Sequence, residues 1–100
     1  MFIDPDNPLA AEILQEAGEV YFSACRKMVT SLEALNAFDS AVGPAALDNE
    51  RGAHRSRLLD DAAERVYSVL VQRDAMQLSG SETFLENYGV PAEVIARIGQ

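Results

Sequence analysis

Carboxylates spaced three residues apart are the side chains of this sequence with the clearest potential for chemistry. Glu16 and Glu19 form one such pair, and Asp61 and Glu64 form a second. Two pairs of this kind, brought together between helices, supply the oxygen ligands that Mg²⁺ and Mn²⁺ prefer. A metal centre also requires the four side chains to converge, so the elements that carry them decide whether it forms.

A long amphipathic helix is predicted over residues 8–41. Pro8 suits its first helical position. When Leu14 is assigned to position a of a heptad, positions a and d are apolar or small and position f is polar for more than four heptads. In this register Glu16 and Glu19 face away from the apolar stripe, which argues against the metal centre.

A second amphipathic helix is predicted over residues 54–78, after a flexible connection at 43–53. Two glycines bracket the connection, and Ser79-Gly80-Ser81 is expected to end the helix. The apolar residues of this helix follow one another at steps of three and four: Leu58, Leu59, Ala62, Ala63, Val66, Val69, Leu70 and Met76.

Two short helices are predicted in the tail, at residues 82–88 and 91–98. Ser81 is a suitable N-cap for the first, and Gly89 fits the left-handed position that follows it. The segment is too apolar for a free tail, so we expect it to pack on the long helices through Phe84, Leu85, Tyr88, Val90, Val94, Ile95 and Ile98.

The predicted fold is all-α, a single domain over residues 1–100 in which a long antiparallel helical hairpin carries a C-terminal pair of short helices. A helix of about 33 residues extends about 50 Å, whereas a compact domain of this size has a radius of gyration of about 13 Å. The hairpin is therefore elongated, and two helices cannot enclose all its apolar positions. We expect it to dimerise into a four-helix bundle, parallel or antiparallel, with a bundle or dimer face at Leu14, Ala17, Tyr21, Ala24, Met28, Leu35, Val66 and Leu70.

The tail also has the spacing of a DNA-binding helix-turn-helix. With Gly89 as the turn glycine, apolar residues fall where that motif makes its internal contacts. The face left for the DNA groove is poor in base-reading side chains, and a plain helical corner is the other interpretation. That face carries Ala92, Glu93, Ala96 and Arg97.

Four residues form a locally basic cluster in an acidic chain: Arg51, His54, Arg55 and Arg57. We interpret the cluster as a patch for an anion or an acidic partner surface. The alternatives are pairing with acids of the first helix, Glu33 and Asp39 included, or plain solvation.

The chain holds one histidine and one cysteine, which limits its catalytic chemistry. His54 has Ser56 two residues away, but local spacing supplies no third group for nucleophilic catalysis. Cys25 is predicted to be a buried small hydrophobe, and Tyr21 and Tyr67 are predicted to order the bundle. No catalytic residue, metal site or cofactor is therefore predicted.

The net charge is −8, and it is unevenly distributed. Residues 1–50 contain nine acids against Arg26 and Lys27, whereas residues 51–100 contain seven acids against six arginines. An acidic chain is repelled by phosphate backbones and anionic lipid at long range, which argues against nucleic-acid and membrane partners. The first eight residues have two acids and no base, unlike a secretory signal, so a cytoplasmic location is expected.

The tail segment 88–99, preceded by residues 71–75, resembles a family of small uncharacterised bacterial all-helical proteins. The resemblance covers mainly residues 60–99 and implies a helical bacterial protein without known catalysis. The two acidic pairs are similar to the magnesium ligands of all-α nucleotide pyrophosphatases, which implies a metal-dependent nucleotide hydrolase.

These observations together predict a non-enzymatic, homodimeric interaction or structural protein of the bacterial cytoplasm, with another protein as a further partner. A small DNA-binding regulator is the first alternative, and the nucleotide hydrolase is the second.

Overall fold

The computed structural model describes residues 8–42 and 48–99. Within these ranges the chain forms helices α1 (Pro8–Val42), α2 (Asn49–Ala75), α3 (Ser81–Asn87) and α4 (Ala92–Arg97), and no strand. The predicted all-α hairpin with two short C-terminal helices is confirmed. No helix in these ranges has the length and apolar character needed to cross a membrane.

α1 and α2 pack side by side along their apolar stripes. Met28 and Leu35 of α1 and Val66 of α2 are almost fully buried in this contact. Tyr21 bonds to Arg73 at one end and Asp39 to Arg55 at the other, so the helices run antiparallel. Burying each large apolar side chain contributes about 1.5–3 kcal/mol, which makes this seam the main source of stability.

α2 begins at Asn49, so the predicted connection is too long at its C-terminal end. Asp48 is the N-cap, and its side-chain Oδ1 accepts a 2.8 Å hydrogen bond from the Arg51 backbone N–H. Such a cap contributes about 1 kcal/mol, which offsets the similar cost of Gly52 inside the first turns. Residues 49–53 are therefore helical, and residues 43–47 lie outside the described ranges.

α2 ends at Ala75, three residues before the predicted end. The Leu78 N–H bonds to the Arg73 carbonyl at 2.9 Å and the Gln77 N–H to the Asp74 carbonyl at 3.0 Å. This is a Schellman motif with Gln77, at φ 59°, in the position that usually belongs to glycine. The helix stops because Gln77 adopts the left-handed conformation, before the Ser-Gly-Ser sequence is reached.

α3 and α4 fold back on the hairpin and are joined by a glycine turn. Gly89 has φ 64°, and the Val90 N–H bonds to the Leu85 carbonyl at 3.1 Å, so the predicted left-handed position is confirmed. Ser81 is the first residue of α3, with Gly80 as the cap, contrary to the predicted Ser81 cap. Val94 of α4 is fully buried. The molecule measures 59 × 22 × 20 Å and its radius of gyration is 16.9 Å, which confirms the elongated shape.

Candidate functional site

The basic cluster is divided by the fold, and Arg55 is committed to internal ion pairs. Its guanidinium donates to both carboxylate oxygens of Asp39 on α1, at 2.8 and 3.1 Å. It also donates to both oxygens of Glu93 on α4, at 2.8 and 3.1 Å. Hydrogen bonding to Arg55 lowers the pKa of both carboxyl groups below their usual values. Arg55 therefore joins three helices, and for this residue the structure shows the alternative interpretation, pairing with an acid of the first helix.

The cluster does not converge as a set of four, because Arg57 lies about 200° from Arg55 around α2. The His54 ring packs against Phe38 with a centroid distance of 5.3 Å. The Arg51 backbone N–H donates to the Asp48 side chain that caps the start of α2, and the Arg57 side chain is exposed on another side of the helix from Arg55. The structure therefore brings Arg55 and His54 into contact with α1 and does not assemble a four-residue anion site.

The two charged side chains on the face of α4 that a helix-turn-helix would present to DNA both bond to α2, while Ala92 and Ala96 on the same face are exposed. Arg97 Nη1 donates to Asp60 Oδ1 at 2.6 Å and to the Ser56 backbone and side-chain oxygens at 3.1 and 3.0 Å. Glu93, on the same face, pairs with Arg55. Because both charged side chains of this face are engaged within the chain, α4 has no free charged face of the kind that groove reading requires.

The two acidic pairs stay separate on α1 and α2. On α2 the Asp61 carboxylate forms an ion pair with Arg65, four residues later in the sequence, at 3.6 Å. Within the part of the chain that the structure describes, no group of three or more His, Cys, Asp or Glu residues is placed to hold a metal ion. The convergence that a magnesium centre needs is therefore not found there.

Arg73 is a buried cation that the sequence analysis did not single out. Its guanidinium donates to the Tyr21 hydroxyl at 2.9 Å and to the Ser79 carbonyl at 2.8 Å, and it lies 4.3 Å from the centroid of the Phe84 ring. Its three hydrogen-bond acceptors, Ser81 Oγ included, are uncharged. Burial raises the pKa of Tyr21, although the neighbouring guanidinium opposes this. The sequence does contain an indication that Arg73 is buried. It lies seven residues after Val66, so it continues the apolar stripe of α2.

An open groove runs between α1 and α2 on one side of the hairpin, and we call it the α1–α2 groove. Its two adjoining sections hold about 530 and 480 Å³ and share Ser23, Lys27 and Arg65 as lining residues. No residue beyond Gln72 lines either section. On the opposite side of the hairpin, Val29 lines a cleft beside the α3–α4 turn. Around α1, Val29 lies about 200° from Lys27, which lines the α1–α2 groove. The short helices therefore cover one side of the hairpin, and the α1–α2 groove remains open on the other.

The residues predicted for the bundle or dimer face are used largely inside one chain. Met28, Leu35 and Val66 are buried between α1 and α2, with Ala24 nearly so, while Ala17, Tyr21 and Leu70 are half-buried. The Leu14 side chain lies outside what the structure describes. A second copy must therefore meet a surface other than Met28, Leu35 and Val66, which the chain's own packing covers.

Large apolar side chains remain exposed on several sides of the molecule. Val20 borders the α1–α2 groove, and Phe22 lies on another side of α1. The exposed fractions range from 39% to 64% for Val20, Phe22, Tyr67, Val71, Met76, Leu78, Tyr88 and Ile95.

Comparison of the chain with protein-family models, curated proteins and solved structures finds no match. The function is therefore argued from the geometry of this chain.

Proposed function

We propose that this protein is a non-enzymatic interaction protein that works as a homodimer and binds another protein. The observation that carries the proposal is the set of apolar side chains left exposed along a narrow hairpin. Val20, Phe22 and Tyr67 each expose more than half of their surface. Covering such side chains on association gives about 25 cal/mol for each Å² of apolar surface removed from water.

The dimensions of the hairpin suit a helix-bundle dimer. One side of the molecule extends over 59 × 22 Å. Each partner of a stable protein pair buries roughly 800 Å², so a single side offers enough surface. Two hairpins packed side by side form a four-helix bundle, and twofold dimers are the commonest assembly of soluble proteins.

As part of the same proposal, the protein belongs to the bacterial cytoplasm. The resemblance of residues 60–99 to bacterial helical proteins supports this, and so does the unpaired, buried Cys25, since reducing compartments keep thiols free.

Sedimentation equilibrium tests the homodimer directly. At micromolar concentration we expect a mass twice that of the 10.9 kDa chain. A folded monomer across the micromolar range, with helical circular dichroism intact, would overturn the proposal.

Calorimetric titration tests the non-enzymatic part of the proposal. We expect no binding heat with Mg²⁺ or Mn²⁺. A saturable heat that disappears in Glu16→Gln would replace the proposal with a metal-dependent activity at the acidic pairs.

A further inference from the structure

We propose that the α1–α2 groove is the surface on which a second copy of this chain docks, with the two hairpins antiparallel across it. The inference rests on the proposed homodimer, and it adds the face and the orientation.

The floor of the α1–α2 groove is suited to close approach by a helix. Ala24 and Ser31 lie there with small, buried side chains. The Ser31 hydroxyl donates a 2.7 Å hydrogen bond to the Met28 carbonyl of its own helix. A helix that docks in the groove therefore does not have to supply a hydrogen-bond acceptor for it. Small side chains allow interaxial distances near the short end of the usual 8–10 Å range.

The charges that line the α1–α2 groove balance, although the chain as a whole carries −8. A second copy with the same net charge is repelled by most of the molecule, and the repulsion is least where the local charge is zero. Both bases of the first fifty residues lie at this groove. The lining acids are Glu16, Glu19 and Asp61, and the lining bases are Arg26, Lys27 and Arg65.

The charges that α1 contributes are also separated along the α1–α2 groove. Glu16 and Glu19 line the section nearer Gln72, Arg26 lines the other section together with Asp61 of α2, and Lys27 and Arg65 line both. Within the described side chains Arg26 and Lys27 make no ion pair, so both are available to a partner.

This separation favours one orientation of the dimer. Glu16 and Lys27 are about 16 Å apart along the helix axis at 1.5 Å per residue. A twofold axis that crosses the groove midway between them, near the level of the Tyr21–Arg73 bond, places Glu16 of each copy opposite Lys27 of the other. The four helices then overlap around this level, and the two hairpins are staggered beyond it. A parallel arrangement places like charges together instead, which destabilises an interface.

Charge reversal with measurement of the dimer Kd tests the face. We expect Lys27→Glu alone, and Glu16→Lys alone, to raise Kd about tenfold, because each change turns two attractive contacts into two repulsive ones. The double swap Glu16→Lys with Lys27→Glu is expected to restore the wild-type Kd. Arg57→Glu is the matched control, since Arg57 is exposed on α2 and does not line the groove. Circular dichroism checks that every variant is folded.

Cysteine cross-linking in a Cys25→Ala background tests the orientation. Ser23 lies near the proposed axis, whereas Ala34 lies far from it, with about 37 Å along the axis between the two copies. A short bismaleimide is therefore expected to join Ser23→Cys to its own copy and to leave Ala34→Cys unjoined. Cross-linking at both positions would show a parallel dimer and overturn the orientation.

The outcomes separate this inference from the proposed function. If the wild-type protein sediments as a monomer, the homodimer itself is wrong. If it is a dimer whose Kd is unchanged by both charge reversals, or which cross-links at neither position, another face is the interface and the inference fails alone.

Discussion

Replacing Arg55 with methionine is expected to loosen α1 and α4 from α2. The single guanidinium makes four charge-assisted hydrogen bonds of 2.8–3.1 Å, two to Asp39 and two to Glu93. Methionine keeps the length of the aliphatic stem and its packing, so the change removes mainly the ion pairs.

The magnitude follows from the exposure of the three groups. The Arg55 side chain is 20% exposed, whereas those of Asp39 and Glu93 are 43% and 60% exposed. Solvent screens pairs of this kind to about 0.2–1 kcal/mol each, and the bidentate geometry favours the upper part of that range. We therefore expect Arg55→Met to lower the free energy of unfolding by about 1–2 kcal/mol, and each kcal/mol lowers Tm by roughly 4–8 °C in a domain of this size.

The pH dependence provides a second readout of the same contacts. Both carboxyl groups have a folded-state pKa below the usual values of 3.8 for Asp39 and 4.5 for Glu93. The unfolded chain then binds more protons than the folded chain over this window, so stability rises with pH. The difference between wild type and Arg55→Met is expected to be complete above the usual values and to shrink as pH falls through the lowered ones.

Urea unfolding at fixed protein concentration, repeated from neutral to acidic pH, measures both effects. Arg57→Met is the control, since it removes an exposed arginine two residues away on the same helix. Equal stabilities for the two variants at neutral pH, or a difference that does not change with pH, would refute the assignment of Arg55 as the link between three helices.

The remaining predictions concern the core, a helix end and the half-buried Tyr21. Met28→Ala is expected to cost about 2–5 kcal/mol in urea unfolding, because Met28 is fully buried between the long helices; a loss below 1 kcal/mol would contradict this packing. Gln77→Gly is expected to stabilise the protein by about 0.5–1 kcal/mol, because Gln77 occupies a left-handed conformation that glycine adopts more readily. Thermal denaturation measures this, and a Tm below that of the wild type would contradict it. Tyr21 is expected to ionise above its usual pKa of 10.0 because of burial. Ultraviolet titration of wild type against Tyr21→Phe isolates that group, and a midpoint at or below 10.0 would show that Arg73 outweighs burial.

The sequence alone predicted the elements that depend on neighbours within about four residues. The apolar stripe predicted both long helices, and Gly89 predicted the end of α3, because helical periodicity and left-handed caps are local properties. The predicted ends of α2 were wrong because several local signals competed at each end of the helix. Gly52 and Ser79-Gly80-Ser81 were given more weight than the cap at Asp48 and the left-handed Gln77.

Only the tertiary structure decided which charged side chains are internal and which surface is open. Arg55 meets Asp39 across 16 residues and Glu93 across 38, and Arg73 meets Tyr21 across 52. Such pairings depend on the register of antiparallel helices and on the side that α3 and α4 cover, and neither is encoded in a window of a few residues. The same packing buried the centre of the stripe predicted for a dimer and left the α1–α2 groove open, because a helix has more than one face and the chain's own contacts occupy the most apolar one first.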